Sequence, residues 1–415
     1  NEHLIRLDIV AYDGRKRASY EMITDLANID EMKAGIDKVA EMVVHAMRLA
    51  YDPTIAEYKE TVVDEAAYDE ALASLSNEER LAYFNEAVAG IETEDIKLSG
   101  IFSNGTTVNA MINTKSEHTQ YFKSSDAQIS VVIAHQKKKW ETTADRSAQK
   151  KTDLDPKSIN DDISYLVNLY ETQEASQLPL GEYDIIFGEA AISTMVHFMN
   201  WIGYNGGLAK RGYSFVSEEK IGEKVLSDKV SISDDPGNID TFPFSHDFTG
   251  KKREKFPLYA NGVFKQFVWT QDDADEFGME ATGHNVQHPS IVMEGGDVEV
   301  NNLKELAEKP RDKDELYFPY MHYTNIVNPS KGIITASSRF GALLLKAGGG
   351  VEVLFNVRIT DSILNLMGDK VDWLSKKTVP YNLSMSYGAR NPVAKIVPAF
   401  MKVNGLEISH SNDAF

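Results

Sequence analysis

His197 is the residue on which any metal-dependent or acid–base chemistry of its own segment would have to be built. It lies in the segment Glu189–Ile202, EAAISTMVHFMNWI, and is the one side chain there that titrates near neutral pH. A zinc peptidase helix carries a second histidine one turn on and a glutamate beside the first. The metal takes about three protein ligands, and its bound water needs a general base. Here Phe198 follows His197, and the next histidine is His246. On these residues alone, His197 reads as a histidine at a helix edge.

Other spacings give less. His284 and His288 are four apart, which on a helix would place both on one face and suit a metal. Gly283 and Pro289 bracket them closely, so no stable helix is expected and no native metal pair is assigned. Asp234-Asp235 would serve as a paired acid and base, but Pro236-Gly237 follows, which marks a turn. Lys137-Lys138-Lys139-Trp140 is a small basic run with an aromatic neighbour; on an acidic chain it reads as an exposed strand end. Gly348-Gly349-Gly350 lacks the Lys-Ser or Lys-Thr and the helix of a phosphate cradle.

The elements that must position His197 come from local pattern. Residues 184–187, Asp-Ile-Ile-Phe between Gly181 and Gly188, read as a buried strand. Ile192, Met195, Val196, Met199 and Ile202 recur at spacings of three and four and define one helical face. Gly203 stops that helix, Gly206-Gly207 open a tight loop, and Lys210-Arg211-Gly212 form a basic corner.

Upstream, residues 4–23 alternate around Asp13-Gly14, a hairpin. Residues 30–50 predict a helix with the stripe Met32, Ile36, Val39, Val43 and Met47. Residues 64–89 predict one or two more helices, with Ser76 and Glu79 at capping-box spacing. From 97 to 140 the period becomes two, with a hairpin expected at Asn104-Gly105 and a strand over 128–134. Asp155-Pro156 opens a helix carrying Ile159, Ile163, Leu166, Val167 and Tyr170.

The polar stretch 172–181 is the expected domain boundary, giving domains 1–178 and 179–415. Downstream the chain is predominantly β. Strands are expected at 229–233, 290–293, 331–337, 341–346, 351–359 and 396–403, hairpins at Asn261-Gly262 and Asn404-Gly405, and a short helix over 272–277. The fold class is α+β, with an N-terminal α/β-layered domain and a C-terminal β-rich domain.

Length and composition bound the rest. The chain has 415 residues, 42% hydrophobic and 26% charged, which is ordinary for a globular protein with a large core. Its formal net charge of −20 disfavours direct contact with nucleic acid. With no cysteine, disulfides and thiolate ligands are excluded, which suits the cytoplasm. No run of 18 apolar residues exists to span a membrane. The first residue is Asn1 rather than Met, so the chain is expected to begin inside a longer polypeptide.

Several short motifs stand in a telling order: Ala209-Lys210-Arg211-Gly212-Tyr213-Ser214-Phe215, Ile221-Gly222-Glu223-Lys224-Val225, and Asp234-Asp235-Pro236. Tyr259-Ala260-Asn261-Gly262-Val263-Phe264-Lys265, Ala281-Thr282-Gly283-His284, Val327-Asn328-Pro329-Ser330-Lys331-Gly332 and Ile396-Val397-Pro398-Ala399-Phe400 follow. This series resembles the TldD/PmbA family, once described as modulators of DNA gyrase and understood as peptidase subunits. The resemblance is clearest over 183–345. The family's TldD branch carries His-Glu-x-x-x-His on the helix, with a distal cysteine, and binds zinc; its PmbA branch, also called TldE, lacks these groups and pairs with the TldD branch.

Counting back from Gly212 places His197 at the first histidine, Phe198 at the glutamate and Ile202 at the second histidine. The chain is therefore similar to the PmbA branch. The resemblance implies a subunit of a cytosolic metallopeptidase acting on unfolded or leader peptides, with no zinc or other cofactor of its own. It implies a heterodimer with a TldD-like zinc-bearing subunit, the alternative being a peptide- or protein-binding homodimer, with no nucleic-acid or membrane partner. His197, Arg211, His284 and Asn328 are the expected peptide-cavity residues.

Overall fold

Asp13-Gly14 closes the first hairpin. β1 (Ile5–Asp13) and β2 (Lys16–Thr24) pair antiparallel, with Gly14 at φ +57°. The computed structural model describes residues 5–25, 27–284, 288–382 and 393–413. Helix α1 (Ile29–His45) starts at Asn28, whose side chain accepts the Glu31 N–H, and lies across the hairpin. It ends short of residue 50. Its buried stripe is Gly35, Val39 and Val43, and Ile36 and Met47 are exposed. Gly35 explains the roll: a Cβ there would stand 2.7 Å from Met22 Sδ, so the helix approaches the sheet most closely at that point.

The expected helical stretch 64–89 begins instead as β3 (Val62–Ala67), which pairs parallel to a strand far downstream. Helices α2 (Glu70–Ala73) and α3 (Asn77–Ala87) follow, and Ser76 and Glu79 form the capping box. No hairpin forms at Asn104-Gly105. Both residues sit inside the continuous strand β4 (Ile96–Met111), opposite Ala127 and Asp126 of β5 (Gln120–His135). The Asn104 amide instead donates to the carbonyls of Leu72 and Ala73 at 2.8 and 3.0 Å. β6 (Glu141–Ala148) returns along β5 after the exposed Lys137–Lys139 turn, and Trp140 faces inward at 2% exposure. α4 (Pro156–Thr172), capped by Asp155, packs over this layer through Ile159, Ile163, Leu169 and Tyr170.

β7 (Gly181–Gly188) leads into α5 (Glu189–Ile202) as the pattern predicts, and Gly203 caps it with an N–H to the Met199 carbonyl at 2.8 Å. Gly206-Gly207 do not make a loop; they open the short helix α6 (Gly206–Lys210), capped by Asn205. Then come β8 (Ile232–Asp234), β9 (Phe256–Ala260), β10 (Val263–Phe264), α7 (Gln271–Phe277), β11 (Ile291–Met293) and α8 (Leu303–Glu308). The β9–β10 hairpin turns at Asn261-Gly262, both at positive φ.

The C-terminal strands are β12 (Glu315–Phe318), β13 (Met321–Asn328), β14 (Ile333–Ser338), β15 (Ala342–Leu345), β16 (Val351–Leu354) and β17 (Val357–Ser362). After α9 (Ile363–Leu366) follow β18 (Val371–Leu374), β19 (Thr378–Asn382), β20 (Ala394–Pro398) and β21 (Phe400–Ser411). Asn404-Gly405 is a bulge within β21, not a hairpin. The register jumps between Val403 and Leu406, and the Gly405 N–H donates to Asp184 Oδ1 at 3.0 Å.

Two sheets result. One runs β13-β14-β17-β21-β7-β12-β15-β16, with β18 also on β21; the other runs β10-β9-β8-β11-β20-β19. The protein is thus α+β with a β-rich C-terminal region. α5 shares one core with both sheets. Ile192, Met195, Val196, Met199 and Ile202 are all buried, each side chain contributing about 1.5–3 kcal/mol, which fixes the helix tightly. A second core joins α3, α4 and β5 to β12, β15 and Phe400.

Candidate functional site

His197 emerges half-buried from α5 towards β20. The Lys395 ammonium nitrogen lies 3.5 Å from its Nδ1. Burial, reinforced by the Lys395 charge, pushes the imidazole down to about 4, so it is neutral at pH 7. Lys395 is itself only 1% exposed, and burial pushes its amine down to about 8. Phe198 meets the His197 ring edge-on at 6.0 Å between centroids, and Ile202 is buried in the core. These residues do not fit zinc. The imidazole nitrogen nearest the cation is already facing a positive charge, and its neighbours are hydrocarbon.

A larger feature opens at the other end of α5. A cleft of about 1410 Å³ separates β6 and α4 from the C-terminal sheets, bounded by β12, β15 and β19. The parallel pairing of β12 with β7 places Tyr317 beside Gly188, where a Cβ would come within 2.8 Å of its hydroxyl. Glu189, the first residue of α5, faces the same space. From β6 come Asp145, which accepts the Tyr320 hydroxyl at 3.1 Å, and Arg146, which is ion-paired to Asp162 of α4.

Burial raises the Asp145 and Glu189 carboxyls above their ordinary range; for Glu189 the nearby Arg146 charge offsets this only in part. Burial also lifts the Tyr317, Tyr320 and Tyr381 hydroxyls well above 10.0, so all three remain protonated donors. A confined space with aromatic walls and several titratable groups has the character of a ligand site.

The four residues expected from sequence lie apart from this cleft and serve different ends. His197 faces Lys395 as described. Arg211 ties α6 to α7, reaching Asp273 at 2.8 Å, pairing with Glu276 and lying over the Phe277 ring. Asn328 caps a 3₁₀ turn by accepting the Lys331 N–H at 3.1 Å. His284 is buried, with Nδ1 2.7 Å from Asp234 Oδ2 and its ring stacked on Phe256. Residues 285–287, between His284 and His288, lie outside the described residues.

The sequence places Asp234 in a turn, yet it ends β8 as a buried hub. It also accepts Arg253 and the Ser290 N–H, each at 2.7 Å. Burial alone would raise its carboxyl, but the His284 bond and the Arg253 charge hold it below its ordinary value. Sequence reasoning missed Asp145, Arg146, Asp162 and Glu189. The available signal was a charged pair, Asp145-Arg146, flanked by the small residues Thr142, Thr143, Ala144, Ser147 and Ala148.

Comparison with known proteins adds a context. The family model for the PmbA/TldA metallopeptidase C-terminal domain matches residues 180–410. A protein named Metalloprotease from Methanothermobacter thermautotrophicus is 31% identical over 112 residues, covering 27% of this chain and 24% of its own length. Another so named, from Archaeoglobus fulgidus, is 24% identical over 194 residues, covering 46% and 44%. The chain thus spans less than half the length of the curated relatives it matches. The crystal structure of TldE from Thermococcus kodakarensis superposes with a TM-score of 0.75 at 18% identity, over 98% of this chain and 90% of that one.

Proposed function

This chain belongs to the TldD/PmbA metallopeptidase family, and we propose that within it the chain is a PmbA/TldE-like subunit of a cytosolic peptidase. The zinc, the attacking water and its base would come from a TldD-like partner, and the substrates would be unfolded or leader-type peptides.

One observation carries this reading: the Lys395 ammonium set 3.5 Å from His197 Nδ1. At about 4 Å and an effective dielectric of about 20, each unit of like charge costs about 4 kcal/mol, and zinc carries two. Phe198 and Ile202 offer no lone pair to offset that repulsion. The arrangement supports an α5 that has become part of the core rather than a catalytic helix.

The chain would then supply a wall to the peptide. Among the described residues, β6 and β19 each pair on one side only, with β5 and β20, and both line the cleft. Their free edges offer main-chain donors and acceptors, which bind extended peptides with little regard to sequence.

Peptidase assays test the proposal on this chain alone, on a TldD-like chain alone and on the mixture, each with and without EDTA. EDTA-sensitive cleavage that needs the TldD-like chain is the expected result; robust EDTA-sensitive cleavage by this chain alone overturns it. Pull-down from the source cell separates the homodimer alternative, in which no TldD-like chain is captured.

A further inference from the structure

The cleft beside the first turn of α5 holds more negative charge than its own cations satisfy. Six carboxylates, Asp145, Asp162 and Glu189 among them, line it against four cations, Arg146, Lys150, Lys304 and Lys377. Arg146 is taken up by Asp162 and by the Asp145 carbonyl oxygen at 2.7 Å. Lys377 donates to the Asn301 carbonyl oxygen at 2.9 Å. Among the described residues, no Lys, Arg or His nitrogen comes within 4.0 Å of a carboxylate oxygen of Asp145 or Glu189.

We infer that this cleft binds a primary ammonium group, with Asp145 and Glu189 as its counter-charges and the rings of Tyr317, Tyr320 and Tyr381 as its walls. This deepens, and rests on, the reading of the chain as a wall for peptide. Two sources present such a group, a peptide's free N-terminus and a lysine side chain.

Three features favour an organic ammonium over other ligands. Anions are disfavoured because carboxylates outnumber cations along the lining. A metal ion needs clustered ligands, and among the described residues no three His, Asp or Glu are grouped to hold one. Tyrosine rings suit a compact organic cation, each such contact being worth about 0.5–2 kcal/mol. Just past the end of β6, Gln149 lines the cleft at 4% exposure with its Oε1 unpartnered among the described residues. A buried acceptor left open costs about 1–3 kcal/mol, and the N–H of an extended peptide on the β6 edge would satisfy it.

The linkage has a definite sign. Burial raises both carboxyls. A bound ammonium favours their charged forms, so binding releases protons and weakens as pH falls through their raised range. At high pH the two sources part: an α-amine loses its charge at about 8, a lysine at about 10.4.

Isothermal titration of the intact chain tests this with four probes: alanine amide, a lysine-free hexapeptide with a free N-terminus, its N-acetylated form, and the acetylated form with one internal lysine. N-acetylation of the lysine-free peptide is expected to weaken binding at least tenfold. Recovery on adding the internal lysine would show that the side chain also serves. The Asp145→Asn, Glu189→Gln double variant, checked for folding by circular dichroism, is expected to bind capped and uncapped peptides alike.

Equal binding of capped and free peptides by the wild-type chain overturns the ammonium site and leaves the peptide wall standing. Binding of alanine amide without any peptide binding keeps the ammonium site and overturns the wall. No binding by any probe overturns both.

Discussion

The Lys395 ammonium nitrogen stands 3.5 Å from Nδ1 of His197, so a buried cation occupies the approach to the only imidazole on α5. The pair sets the electrostatics of the helix. A neutral histidine beside a charged lysine at neutral pH is the reverse of a metal-ready site.

Lys395→Met is predicted to stabilise the fold at pH 7. The amine falls from an ordinary 10.5 to about 8, so holding it charged in the fold costs up to about 3 kcal/mol, less the packing lost on substitution. A base whose folded value is depressed gains stability as pH rises from 8 towards 10.5, so the variant's advantage should shrink over that window. Thermal unfolding at pH 7 and pH 10 checks this, and an equal shift at both sinks it.

His197 and His288 are both pushed down to about 4, chiefly by burial, with Lys395 and Arg253 respectively adding repulsion. The unfolded chain binds protons at about 6.5, so stability is lost as pH falls from 6.5 towards 4. Each contributes at most about 3 kcal/mol, reduced by its residual solvent contact. Denaturant titrations at pH 7 and pH 5 should show a smaller loss for His197→Gln and His288→Gln than for wild type.

Asp145→Asn and Glu189→Gln are predicted to raise stability by about 1 kcal/mol each at pH 7, the usual gain when a site is relieved of function. Their carboxyls are raised in the fold, so stability from their neutral forms is full at low pH and lost as pH rises. The gain should therefore vanish in acid. Melting curves at pH 7 and pH 4 give the comparison.

Asp234→Asn should do the opposite. It strips the counter-charge from buried Arg253 and the acceptor from His284, and breaking one partner of such a pair costs about 3–5 kcal/mol. Urea unfolding measures the loss; less than 1 kcal/mol would contradict the role given to this hub.

What sequence revealed and what it concealed follow from the range of the interactions. Asp13-Gly14 and Asn261-Gly262 make hairpins because their flanking strands pair with each other. Asn104-Gly105 and Asn404-Gly405 share the same turn chemistry, yet β4 is held straight by β5, and β21 by β7. Long-range pairing overrides a local preference of a kcal/mol or so. The α5 helix and its glycine stop were legible because their periodicity is contained within one segment.

The cleft was not legible for the same reason. Asp145, Asp162, Glu189 and Tyr320 come from separate elements, and no spacing in the chain announces their meeting. Lys395, too, is brought to His197 only by the packing of β20 on α5.

The most direct test of the central claim is zinc stoichiometry of this chain purified alone and dialysed against micromolar zinc. A buried ammonium beside a lone imidazole predicts far less than one bound zinc per chain, with no change on His197→Ala. One firmly held zinc per chain, lost in His197→Ala, would contradict the account.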